Sequence, residues 1–278
     1  MSVTDSDSPK RWSTALIHDR MVVTGAGSGI GRALALELAD SGVMAYILGR
    51  RLDALEETVS LAKGSAGQLI PISCDLTKAE DVDATFTRIE QEEGGPIRAL
   101  AHCAASVRYE PATEITFETF KAVVGTTLFT AFNALNRWAQ ALLAADLDGV
   151  AVALTSNVAH RGTPGVAHSS AGKSGIEGYV RSVAREWGPS GIRINVVGPG
   201  IFPVEKSKDM WDKMSAEHIP VQRFGELSEI VGPIIFMLSE AAGYISGEIL
   251  RVDGGARLTP GSGPPRRYTR PEDPGTRP

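Results

Sequence analysis

Short apolar runs alternate along this chain with longer stretches in which apolar residues recur every three or four positions. Met21-Val22-Val23-Thr24 is such a run, read as a buried strand, and a cluster of glycines follows it. From Gly29 to Ser41, residues Ile30, Ala33, Leu34, Leu36 and Leu38 fall on one broad face, as they would in a helix. The alternation then continues. Further strands are predicted at 45–48, 68–73, 98–101, 150–155, 192–197 and 249–252. Helices are predicted at 52–63, 78–92, 116–145, 169–187 and 227–238. Apolar strands joined by helices predict an α/β fold: a single-domain, doubly wound parallel sheet of the Rossmann type. Right-handed crossovers would cover both faces, and ligands of such sheets bind at the carboxyl ends of the strands.

The periodicity is lost at both ends. Residues 1–17 are read as a flexible N-terminal segment, and 259–278, rich in Pro, Gly and Arg, as a disordered tail. Residues 18–258 are read as one dinucleotide-binding catalytic domain with a substrate lid near 203–220. Met210 and Trp211 in that lid either contact an apolar substrate group or pack the lid itself. Of the 278 residues, 42% are hydrophobic and 22% charged, enough for one sizeable core. The net charge of −5 argues against a nucleic-acid partner, whose binding surface is ordinarily basic. No run of 18 apolar residues could span a membrane, and the polar start lacks the apolar centre of a secretion signal. Two cysteines, Cys74 and Cys103, cannot build a disulfide framework. The five histidines never take HExxH spacing, so no metal is expected. The expectation is a cytoplasmic enzyme acting on a small molecule.

Thr24-Gly25-Ala26-Gly27-Ser28-Gly29-Ile30-Gly31 joins the first predicted strand to the first predicted helix. Glycines permit a tight turn and let a phosphate approach the backbone, while the helix N-terminus offers free N–H groups. Gly25, Ser28, Gly29, Ile30 and Gly31 are therefore candidate pyrophosphate contacts. The second strand ends at Leu48-Gly49-Arg50-Arg51, where a dinucleotide fold meets the adenosine ribose. An acid there would bind the free 2′-hydroxyl of NAD, whereas arginine suits the 2′-phosphate of NADPH. Arg50 is the first candidate, with Arg51 and Arg32 as helpers. Asp75 either accepts from the adenine amine or caps the following helix.

Taken together, these segments resemble the short-chain dehydrogenase/reductase family over roughly residues 18–258. Residues 24–31 match its TGxxxGxG, and Cys74-Asp75-Leu76 matches its adenine-side acidic position. His102-Cys103-Ala104-Ala105 stands where the family has NNAG. Arg193 to Gly200 matches IRVNxxxPG, and Val252-Asp253-Gly254-Gly255 matches the closing DGG. The resemblance adds Leu76, Ala104, Pro199 and Gly200 to the expected cofactor contacts. It also implies assembly as a homo-tetramer or homo-dimer. The family's chemistry uses Asn, Ser, Tyr and Lys, the last two as YxxxK. Here Lys173 closes Ser169-Ser170-Ala171-Gly172-Lys173, so Ser169 stands at the tyrosine position. Ser156, thirteen residues before Ser169, matches the serine, and Thr127 stands at the asparagine position.

A tyrosine beside a lysine ammonium has a lowered pKa and can protonate the alkoxide that ketone reduction makes. A serine hydroxyl is far too weak an acid to do so. The 2,4-dienoyl-CoA and related enoyl-CoA reductases of the family resemble this chain in carrying SxxxK, and 1-cyclohexenylcarbonyl-CoA reductases are of the same broad type. Hydride addition to a C=C bond conjugated to a thioester leaves an enolate, which needs hydrogen bonds but tolerates later protonation. A tyrosine that those reductases place after the serine strand is Val158 here. The resemblance thus implies NADPH-dependent reduction of an acyl thioester, with Ser156, Lys173 and Ser169 as catalytic candidates. Lys173 would also hold the nicotinamide ribose. Tyr109, Thr127, His160, Met210 and Trp211 are the candidate substrate contacts. Tyr109, His160 and His168 are read either as proton donors or as packing residues. Two other readings stay open: a carbonyl or imine reductase with a substitute acid, and a catalytically silent NADP(H)-binding sensor.

Overall fold

The computed structural model describes residues 16–204 and 215–258. The strands are β1 (Arg20–Thr24), β2 (Met44–Gly49), β3 (Gln68–Ser73), β4 (Ala99–His102), β5 (Gly149–Leu154), β6 (Ile192–Pro199) and β7 (Ile249–Val252). They form one sheet in the order β3-β2-β1-β4-β5-β6-β7, with every pair parallel. The helices are α1 (Gly29–Asp40), α2 (Leu52–Leu61), α3 (Ala79–Glu93), α4 (Phe117–Val124), α5 (Thr130–Ala144), α6 (Val158–Arg161), α7 (Ala167–Trp187) and α8 (Leu227–Leu238). This is the doubly wound architecture that the alternating pattern predicts.

Strand residues alternate between two cores. Val22, Leu100, Ala151 and Ile194 join the layer that buries Phe86 of α3, Leu135 and Trp138 of α5, and Ile176 and Val180 of α7. Met21, Val23, Ala101, Val152 and Val197 join Leu34 and Leu38 of α1 and Ile230 and Ile234 of α8 on the other face. Burial on both faces is why these strands read as unbroken apolar runs. Two buried polar side chains are paired within these layers: Trp138 Nε1 donates to the Ile97 carbonyl at 2.8 Å. Asn195 Nδ2 donates to the Ile245 carbonyl at 2.9 Å, and its Oδ1 accepts from the Glu248 amide at 3.0 Å. Asn195 thus holds the approach to β7.

The long helix predicted at 116–145 is not regular. Between α4 and α5, Gly125–Phe129 forms a π-helical turn. The extra residue rotates the side chains around it, and the site inherits that rotation. Helix α6 went unpredicted because four residues are too few to show a period. Met210, Trp211 and the stretches 1–15 and 259–278 lie outside the described residues. Among the described residues no helix is long and apolar enough to cross a membrane.

The strand order decides where a ligand can sit. The chain winds outward from β1 through β2 to β3, then returns to place β4 on the other side of β1. Connections leaving β1 and β4 diverge to opposite faces and open a crevice at their carboxyl ends.

Leu135 is fully buried in the α5 layer, and close packing around it cannot collapse onto a lost side chain. Leu135→Ala is expected to lower the unfolding free energy by about 2–5 kcal/mol. The measurement is the urea midpoint at fixed protein concentration, and an unchanged midpoint would contradict this packing.

Candidate active site

The crevice over β1 and β4 opens into a cleft of about 1070 Å³. Gly25, Ser28, Gly29, Ile30 and Gly31 line it from the β1–α1 turn, Arg50 and Arg51 from the end of β2, and Asp75 and Leu76 from the end of β3. Ala104 lines it after β4, and Pro199 and Gly200 at the end of β6. Ser156, Ser169, Lys173 and Tyr109 line the same cleft.

The β1–α1 turn fits a dinucleotide for steric and electrostatic reasons. Gly25 has φ +70°, and a Cβ there would lie 2.7 Å from the Ala104 amide nitrogen. A Cβ on Gly31 would overlap the Gly25 carbonyl oxygen. Gly25 and Gly31 therefore leave bare backbone in this turn, which a phosphate can approach closely. The first turn of α1 contains no acidic residue, so the positive end of the helix stays uncompensated for a pyrophosphate.

Arg50 and Arg51 are exposed at the cleft. Arg32 is not their helper. Its guanidinium donates to Thr58 Oγ1 at 3.0 Å and to the Gly27 carbonyl at 2.7 Å, and it pairs with Glu57 at 2.6 Å. It braces the glycine turn against α2. Asp75 Oδ1 accepts from the Thr77 amide at 3.1 Å and from Thr77 Oγ1 at 2.7 Å. That hydroxyl holds the Asp75 carboxyl below its ordinary range. Asp75 thus closes a local turn before α3 and stands on the cleft wall.

Lys173, Ser169 and Ser156 meet where α7 crosses the end of β5. Ser169 and Lys173 lie one turn apart on one face of α7, and both are buried. Lys173 Nζ donates to the Leu154 carbonyl at 2.9 Å. Burial lowers its pKa to about 8. Ser156 Oγ accepts from the Val158 amide at 3.5 Å. Cys103 shares the cleft, and burial pushes its thiol up to about 12, so it stays protonated.

His102 shapes the floor. Thr24 Oγ1 accepts from the amides of Cys103 at 3.2 Å and Ala104 at 3.3 Å. The Thr24 hydroxyl proton is then left for His102 Nδ1, 3.0 Å away. Thr130 Oγ1 donates to the Thr126 and Thr127 carbonyls, so His102 Nε2, 3.5 Å away, is assigned the ring proton and donates to it. Burial, then the Lys173 charge, lowers the His102 pKa to about 3, so the ring is neutral near pH 7.

Residues 25–257 match a family model described as enoyl-(acyl carrier protein) reductase. The chain is 31% identical over 254 residues to the peroxisomal 2,4-dienoyl-CoA reductase of Mus musculus, covering 88% of this chain and 86% of that protein. It is 30% identical over 244 residues to the 3-oxoacyl-acyl-carrier-protein reductase MabA of Mycobacterium avium, covering 87% and 91%. The crystal structure of a short-chain type dehydrogenase/reductase from Mycobacterium marinum superposes with a TM-score of 0.82 at 27% identity, covering 87% and 97%. The chain belongs to the short-chain dehydrogenase/reductase family.

Members are oxidoreductases that use a nicotinamide cofactor on small-molecule substrates. One relative is named for a dienoyl-CoA and the other for a 3-oxoacyl group, so likeness alone leaves the reduced bond open. In this short-chain dehydrogenase/reductase two expected substrate contacts fall elsewhere. Thr127 is fully buried and packs on α7, where a Cβ at Gly172 would lie 3.0 Å from its own Cβ. Thr126 of the π-helical turn and Thr130 at the start of α5, one turn apart, line the cleft instead. Thr126 Oγ1 lies 2.5 Å from Ser106 Oγ, which ties the turn to the loop after β4. His160 is exposed and does not line the cleft; its neighbours Val158 and Arg161 do. His168, in the first turn of α7, is fully buried and does not line the cleft either. Phe202 and His218 line it and were not singled out by sequence, since neither belongs to a motif or a period.

Below pH 8 the Lys173 ammonium is the main form, and above it the neutral amine. Turnover that depends on this charge is expected to fall as pH rises through about 8. The folded pKa lies below the ordinary 10.5, so Lys173's own contribution to stability rises from pH 8 to 10.5 rather than falling. Loss of activity in that window is therefore not unfolding by this group. A pH–rate profile with no limb near 8 would contradict the assignment.

Proposed function

We propose that this chain is an NADPH-dependent reductase of a C=C bond conjugated to an acyl thioester. One observation carries the reading. Serine replaces tyrosine one turn before Lys173, inside a cleft that keeps Ser156 and Lys173. Reduction of a ketone needs an acid at the oxygen as hydride arrives, and the Ser169 hydroxyl is too weak for that role. Reduction of a conjugated C=C bond needs only that the enolate oxygen be held.

The residues divide that work. The Ser156 hydroxyl donates to the thioester oxygen. The Lys173 ammonium places positive charge beside it in a buried site, where such a charge acts more strongly than in water. Ser169 leaves room for the acyl group and orients a water. When bound, NADPH supplies the hydride. Gly25, Ser28, Gly29, Ile30 and Gly31 hold its pyrophosphate, and Arg50 with Arg51 holds its 2′-phosphate. Asp75 and Leu76 stand at the adenine, and Ala104, Pro199, Gly200 and Lys173 at the nicotinamide half. Likeness to the mouse 2,4-dienoyl-CoA reductase supports this reading. Likeness to MabA supports a competing one, reduction of a 3-oxo group, which would need Tyr109 or His218 on the cleft wall as the acid.

The deciding test is NADPH oxidation with matched enoyl-CoA, dienoyl-CoA, cyclohexenylcarbonyl-CoA and 3-oxoacyl-CoA substrates. Turnover confined to the conjugated thioesters is expected. Turnover of the 3-oxo substrate alone would overturn the reading. Arg50→Ala is expected to weaken NADPH binding by about tenfold or more, the loss of one charge-assisted contact, and to leave NADH binding unchanged. Equal losses for both cofactors would remove Arg50 from the 2′-phosphate site.

A further inference from the structure

Three consecutive residues at the end of β5 are each held by a charged side chain from another element. Lys173 Nζ donates to the Leu154 carbonyl at 2.9 Å. Thr155 Oγ1 donates to Glu177 Oε1 at 3.2 Å. Arg251 Nη1 donates to the Ser156 carbonyl at 3.2 Å, which also accepts from the Ala159 amide at 3.1 Å. Arg251 Nη2 then closes on both oxygens of Glu177, at 2.9 Å and 2.8 Å. Glu177 lies one turn after Lys173 on α7, so both reach the strand end from the same helix face. Arg251 reaches it from β7, and a Cβ at Gly198 would lie 2.7 Å from its Nη1.

The pair is poorly explained as a stabilising device. Its side chains are only 9% and 10% exposed. Ions taken so far from water lose much of their Coulomb gain to desolvation, and apolar residues of similar volume often serve stability as well. Direction is what the pair adds. A guanidinium fork presents donors at fixed angles, and here one arm takes the carboxylate while the other takes a backbone carbonyl. On either side of Ser156 the backbone is tied to β6: Thr155 donates to the Val197 carbonyl at 2.9 Å, and Asn157 to the Pro199 carbonyl at 3.0 Å. The Ser156 carbonyl points away from β6 in this stretch and takes its hydrogen bonds from Arg251 and the Ala159 amide, so among the described residues Arg251 is the one contact that ties it to another strand.

We propose that Glu177 and Arg251 are positioning residues that fix the Ser156 backbone, and through it the direction of the Ser156 hydroxyl. The role rests on the reading of Ser156 as the donor to the substrate oxygen. The two residues never touch substrate. They hold a donor at an angle that hydrogen bonding to an enolate requires.

The test compares Glu177→Gln, Arg251→Met, Arg251→Lys and Thr155→Val in the full-length chain. Hydrogen exchange is followed by mass spectrometry in a peptide spanning 150–160. Glu177→Gln and Arg251→Met are expected to speed exchange there by about tenfold while peptides from β1 and β2 stay as in the parent. With a conjugated thioester, kcat should fall by up to about 10²-fold, with KM changed by less than about threefold. NADPH affinity should not change, and Arg251→Lys should recover part of kcat. Faster exchange throughout the sheet, with kcat falling only in step with lost folded protein, would reduce the pair to a structural role and overturn the proposal. Parent-like exchange and kcat would also overturn it. If Arg251→Met does not fold, Arg251→Lys and Thr155→Val carry the same comparison. If the parent turns over no thioester, the proposed function fails, while the local exchange result still decides whether the pair holds Ser156.

Discussion

Thr24 ties the two halves of the sheet together where the strand order reverses. Its hydroxyl accepts from the amides of Cys103 and Ala104, at the point where Gly25, lacking a side chain, lets the β1–α1 turn approach the chain after β4. The cleft floor depends on this contact. With β1 and β4 joined at their ends, the neighbouring strands place Arg50 to one side and Ser156 to the other. His102 extends the tie to Thr130, at the start of the helix that follows the π-helical turn. A buried, neutral histidine can do this because it offers one donor and one acceptor at fixed positions.

Burial governs the chemistry as strongly as residue identity does. Lys173 is enclosed enough for its pKa to fall to about 8, yet the same enclosure makes its ammonium effective against a developing oxyanion. Cys103 beside it is kept as a thiol by the same desolvation. On the proposed reading, exchanging a phenol for the small hydroxyl of Ser169 changes which bond is reduced and leaves cofactor binding intact. On the same reading, the turn, the arginines and the lysine that would hold the cofactor are separate from the position that changed.

Much of the fold was legible in the chain. Strand β3 at Gln68–Ser73, helix α8 at Leu227–Leu238 and strand β7 at Ile249–Val252 have the boundaries that the pattern predicts. Periods of apolar residues report burial, and burial sets these elements. The glycine turn was legible because its strand and helix flank it in sequence. The candidate site was legible only where it follows such local order, as at Ser169 and Lys173. Thr127 was misplaced because it lies within the π-helical turn at Gly125–Phe129, where the facing of side chains departs from the α-helical period. Arg32 was misplaced because its partners lie on α2, where no spacing rule connects them to it.

The sequence by itself determined the order of elements, the both-face burial of the strands and the glycine cradle, since each rests on neighbours along the chain. Only the tertiary structure decided which threonines face the cleft, that His160 turns away from it, and that Glu177 and Arg251, 74 residues apart, meet behind Ser156. The physical reason is the same in each case. A contact between distant residues is made by packing and leaves no period in the chain, so its direction exists only once the sheet and helices have closed around it.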